Sequence, residues 1–199
     1  MPFSSNKPDG RRGRLGAVLF ATVAAAYPIV VYLLRGQIPF HFFALGACLL
    51  LLLRAVVAPT DITRFLRLPL LIAAVVLAAM VLFDAAFAAK SYPAMLSLLI
   101  AAVFGNSLRH PPSLVERLAR LKDPVLTVAG QDYCRSVTWL WTIWLVANAV
   151  IAAGLAIWGS IAIWALWTGL LSYIVTAVLF LGEIVLRSKL IQRATVEPR

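Results

Sequence analysis

The chain has 199 residues and a formal charge of +10, with a mean hydropathy of +0.92; 62% of it is apolar and only 13% charged. A soluble domain is about 45–50% apolar and about 25% charged, so a water-soluble globule of this length would leave too much apolar surface exposed. Composition therefore points to an integral membrane protein and leaves no room for a separate soluble catalytic domain of about 100 residues; the two cysteines and two histidines are too few for a zinc ribbon or finger.

A bilayer core of about 30 Å takes about 20 apolar residues as a helix. Residues 1–14 form a basic head with Lys7, Arg11, Arg12 and Arg14. Leu15 to Leu34 is an uncharged run of 20 and reads as the first span. It is too long for the apolar region of a secretory signal peptide, so it reads as a retained helix. Ile38 to Leu53, extended past Arg54 to Ala58, is the second. Leu68 to Phe83 is the third, continued by the alanine-rich stretch after Asp84. Ser91 to Leu108 is the fourth. Residues 109–135 are the longest polar stretch. From Ser136 to Gly182 there is no charged residue, a run of 47. As a single helix that run would be about 70 Å long, so it must turn once, and Gly159-Ser160 is the natural place. Basic residues return in a tail over 188–199. The expected fold is all-α: a membrane bundle of about six transmembrane helices, spanning 15–187, with one short interfacial helix in the 109–135 loop.

Six spans sort the charges. Sixteen of the 18 basic residues then share one face, and only Arg35 and Lys90 lie on the other. The positive-inside rule makes that face cytoplasmic, with both termini on it. The charge has two readings: contact with anionic lipid headgroups, or docking of an acidic soluble partner. No groove-reading motif accompanies it, so nucleic acid is not an expected partner. Trp139 and Trp141 near one end, and Trp158 and Trp164 near the other, read as interfacial anchors.

Within the polar loop, Ser113 and Glu116 have the spacing of a capping box. Leu114, Leu118 and Leu121 then share one helix face, flanked by Arg117, Arg120 and Lys122, and Asp123-Pro124 ends the helix. Those three cations are the candidate docking residues. Polar groups inside the spans are the other candidates, because each is costly in lipid. Asn148 in the fifth span suits helix packing or ligand binding. Glu183 precedes Arg187 by four residues, the favoured order for an ion pair on one helix, with Arg54 as another partner. Asp84 and His41 fall toward the outer side, where a proton-relaying pair is conceivable. No metal-ligand spacing, phosphate loop or nucleophile elbow is present, so no catalytic, cofactor-binding or metal residue is assigned. Ala74/Ala78 and Ala165/Gly169 look like packing surfaces. Tyr27-Pro28 and Tyr92-Pro93 are two similar dipeptides without an internal repeat around them.

The succession of Tyr27-Pro28, the stretch from Leu51 to Ala55, Pro111 through Arg120, Tyr133 through Trp139, Asn148 and Gly182-Glu183 resembles an uncharacterised family of bacterial inner-membrane proteins. Members of that family are often encoded beside aryl-polyene or fatty-acid-like biosynthesis enzymes. The loop followed by a Trp- and Asn-bearing helix also resembles, distantly, the intracellular septation protein A family. The resemblance implies no catalytic residue and no cofactor. It implies a context of lipid-like or polyene products made on acidic acyl carrier proteins, which with cytoplasmic biosynthetic enzymes are the expected partners beside membrane lipids. Two functions follow: a non-enzymatic inner-membrane accessory, or a small transporter or flippase for a lipidic product. An intramembrane acyltransferase is a third, weakened by the lack of a His–Asp motif.

Overall fold

The computed structural model describes residues 22–23, 25–57, 61–121 and 124–196, and these are helical throughout apart from short turns. The basic head 1–14, Lys122, the tail after 196 and the side chain of Arg187 lie outside the described residues. The helices are α1 (Ala25–Leu34), α2 (Phe40–Val57), α3 (Asp61–Val81), α4 (Ala85–Arg109), α5 (Leu114–Arg120), α6 (Val128–Trp158), α7 (Ile161–Leu166) and α8 (Ser172–Val196). One π turn, Trp167–Leu171, joins α7 to α8. Ala85–Arg109, Val128–Trp158 and Ile161–Leu186 are long and apolar enough to cross a membrane; Ala25–Leu34, Phe40–Ala55 and Leu68–Val81 are shorter apolar helices. Large apolar side chains such as Val178, Phe180 and Leu181 on α8 point outward, as a hydrocarbon surrounding permits and water does not.

The long uncharged run turns where glycine and serine predict. Gly159 closes α6 by donating to Leu155 O at 2.9 Å, and Ser160 Oγ accepts from Ile163 N to start α7. The α3–α4 boundary differs from expectation. Asp84 Oδ1 accepts from Ala86 N at 2.8 Å and Phe87 N at 2.9 Å, so the alanine-rich stretch after it begins the fourth helix instead of continuing the third. Lys90, expected beside an outer loop, therefore lies inside α4. An Asp side chain at an N-cap satisfies helix N–H groups that no carbonyl reaches, which fixes the start of a helix in an otherwise featureless apolar run.

Small side chains let the first four helices approach closely. Ala44 and Ala47 of α2, Ala73, Ala74 and Leu77 of α3, and Ala88 and Ala89 of α4 form one core with Val31 and Trp164. Of the two expected small-residue pairs, Ala74 is buried but Ala78 is exposed. At the other, Ala165 is buried, and a Cβ on Gly169 would sit 2.8 Å from Ile29 Cγ1, so α1 rests directly on the π turn. Trp164 is not an interfacial anchor: it is 0% exposed, and its indole N–H donates to Lys90 O. Trp158 is exposed.

The two Tyr-Pro dipeptides meet in this core. The Tyr27 and Tyr92 rings are edge to face with centroids 4.9 Å apart. Pro93 lies inside α4 and has no N–H to give Ala89 O four residues earlier. Tyr27 Oη supplies the missing donor, at 2.9 Å from Ala89 O. The next carbonyl, Lys90 O, takes Trp164 Nε1 at 3.1 Å. The Lys90 ammonium meets Ala156 O at 2.6 Å, in the last turn of α6, where carbonyls lack intrahelical donors. One turn of α4 is thus tied to α1, α6 and α7.

Candidate functional site

The 109–135 segment is built from its own hydroxyls outward. Ser113 Oγ accepts from Glu116 N, and Glu116 Oε2 accepts from Ser113 N, which completes the capping box. The other two free N–H groups of the first turn of α5 also find hydroxyls. Leu114 N donates to Ser107 Oγ of α4 at 2.9 Å, and Val115 N to Thr138 Oγ1 of α6 at 3.4 Å. These bonds hold α5 across the C-terminal end of α4 and the N-terminal part of α6. Leu114 is buried against them, whereas Leu118 and Leu121 are 47% and 76% exposed. The leucines therefore divide: the first anchors α5 and the other two face outward.

The candidate cations divide as well. Arg120 donates twice to Glu116 Oε1, at 3.0 and 2.7 Å, and Glu116 is itself buried. Arg117 donates through Nε to Pro112 O at 2.8 Å and through Nη2 to His110 O at 3.0 Å. A guanidinium has five N–H groups, so Arg117 keeps about three for another acceptor. The Glu116–Arg120 pair follows the i, i+4 rule and was available from spacing alone; the folding of Arg117 onto the loop carbonyls was not.

Between the start of α3, the C-terminal half of α4, α5 and the first turns of α6 lies a cleft of about 1310 Å³. Arg109, His110, Arg117 and Arg135 line it, and among the described residues no acidic side chain does. Arg109 and Arg135 are exposed, and neither has a hydrogen-bond or ion-pair partner among the described residues. Its walls also include Pro69, Ala102, Val103 and Trp139. Arg109 and Arg135 belong to the sequence's basic set but were not singled out there, because α4 and α6 must first be packed side by side.

The remaining candidates do not gather at this cleft. Asn148 is a cross-brace: its Nδ2 donates to Ser97 Oγ of α4 at 3.0 Å, and its Oδ1 accepts from Trp167 Nε1 of the π turn at 3.0 Å. Nearby, Trp144 Nε1 donates to Thr176 Oγ1 at 3.0 Å. Glu183 accepts from Tyr133 Oη at 3.4 Å, which links the start of α6 to α8. Arg54 is half-buried in the last turn of α2. Asp84 serves as the α4 cap, and no ion pair within 4.0 Å joins it to the exposed His41 among the described residues. No protein-family model, curated protein or solved structure matches the chain.

Proposed function

We propose that this protein is a non-enzymatic accessory of the bacterial inner membrane. In this reading it crosses the bilayer six times, keeps both termini in the cytoplasm, and holds an acidic partner of an acyl or polyene assembly system at the membrane. The observation that carries the reading is the end of the molecule formed by α4, α5 and α6. There a short helix is clamped in place by three hydroxyl caps and surrounded by cations. The sorting of 16 of 18 basic residues to one side supports the six crossings and the orientation. The exposed Leu118 and Leu121 give α5 an outward apolar strip that suits the interface between membrane and cytoplasm. The family resemblance supports the choice of an acidic carrier protein as partner, since complementary charge guides such encounters.

Two measurements test this. Reporter fusions after Gln37, Phe83 and Gly159 should report outside, and fusions after Arg64, Leu121 and Arg199 inside; an outside signal at Arg199 refutes six crossings. Replacing Arg120 by Gln and Lys122 by Glu removes two of the three candidate docking cations and leaves Arg117, which lines the cleft, in place. Co-purification of an acyl carrier protein in mild detergent should then fall several-fold, and about 0.5 M salt should strip it from the unaltered protein. Unchanged capture by a correctly inserted variant refutes docking on α5.

A further inference from the structure

The cleft differs from a merely basic surface in the order of its lining. Arg109 and His110 stand at the end of α4, while Ala102 and Val103 lie one to two turns further into the helix, about 10 Å along its axis. On α6 the same order runs from Arg135 to Trp139, one turn deeper, and Thr142 beyond it. One turn in from Arg109, α4 and α6 close together: a Cβ on Gly105 would lie in van der Waals contact, 3.5 Å from Thr142 Cγ2. Cations therefore gather where the helix ends border the cleft, Pro69, Ala102, Val103 and Trp139 give it an apolar side further along the helices, and Asn106, Ser107 and Thr142 add polar lining between them. Arg117 is held at the mouth by two backbone carbonyls, so little side-chain entropy remains to be lost when it binds.

A free hydrophilic anion would use the mouth and waste the walls; a neutral lipid would fill the walls and leave three guanidiniums unused. An anionic amphiphile uses both. We propose that this cleft binds a phospholipid of the adjacent leaflet, its phosphate between Arg109, Arg117 and Arg135 and an acyl chain along Ala102, Val103 and Trp139. Planar guanidinium groups suit phosphate oxygens because they donate in pairs. The leaflet is the cytoplasmic one if the proposed topology holds; the binding chemistry does not depend on it.

The test uses the full chain purified in mild detergent. Retention of dioleoylphosphatidylglycerol and dioleoylphosphatidylcholine is measured by native mass spectrometry, with inorganic phosphate as a third probe. Phosphatidylglycerol should be retained about ten-fold over phosphatidylcholine, inorganic phosphate should not compete at equal concentration, and raising salt should weaken binding to the unaltered protein. Joint replacement R109Q/R135Q should lower phosphatidylglycerol retention about ten-fold, whereas R35Q, remote from the cleft, should not. Equal retention of the two lipids, full competition by phosphate, or an unaffected double variant overturns the proposal. Selective retention that ignores salt overturns it as well. A fusion after Leu121 that reports outside, together with selective binding, moves the site to the other leaflet; it then refutes the topology and leaves the lipid site standing.

Discussion

Replacing Tyr27 by Phe removes one oxygen from the core and keeps the ring packed against Tyr92. The oxygen matters because Ala89 O has lost its helical donor to Pro93 and takes the Tyr27 hydroxyl at 2.9 Å instead. Ala89 is 0% exposed, so water cannot replace that donor. Leaving a buried carbonyl unsatisfied costs about 1–3 kcal/mol, while interhelical polar contacts in membrane proteins average about 0.6 and reach about 1.7. The expected loss for Tyr27→Phe is therefore about 1–2 kcal/mol. Pro93→Ala restores an N–H that can reach Ala89 O along the helix. In that background Tyr27→Phe should cost at least about 1 kcal/mol less, a coupling well above the few tenths expected for independent sites. Unfolding of the four proteins in mixed detergent micelles, followed by circular dichroism, measures the cycle. A coupling below about 0.3 kcal/mol would show that the Tyr27 hydroxyl and Pro93 act separately and would refute the argument.

Three further expectations follow from single contacts. The Tyr92 hydroxyl is buried without a hydrogen-bond partner among the described residues, so Tyr92→Phe should leave stability unchanged or raise it by up to about 1 kcal/mol in the same assay, the opposite of Tyr27→Phe. Asn148→Ala should cost about 0.6–2 kcal/mol because both ends of its amide hold neighbours; full stability with loss of cellular function would make it a site residue instead. A Cβ on Gly159 would approach Leu155 O to 2.6 Å, so Gly159→Ala should lower the midpoint of thermal unfolding, and an unchanged midpoint would show that the α6–α7 turn relaxes freely.

What could be read from the sequence was local or additive. The apolar runs, the turn at Gly159-Ser160 and the Ser113–Glu116 capping box depend on neighbours within four residues or on sums over a window, so they need no knowledge of packing. The α3–α4 boundary had a local signal too, an Asp before an alanine run, but hydropathy treats Asp84 as a polar interruption and cannot see its oxygen turned onto the next helix's N–H groups. Lys90 was misplaced with it. Only the tertiary structure brings Tyr27 to a carbonyl 62 residues away and sets its ring against that of Tyr92. The cleft is of the same kind, since Arg109 and Arg135 belong to different helices and meet only because small residues such as Gly105 let α4 and α6 lie together. Burial in lipid follows from how apolar a segment is, which composition records; the pairing of polar groups follows from which helix faces meet, and that is set by the shapes of side chains far apart in the chain.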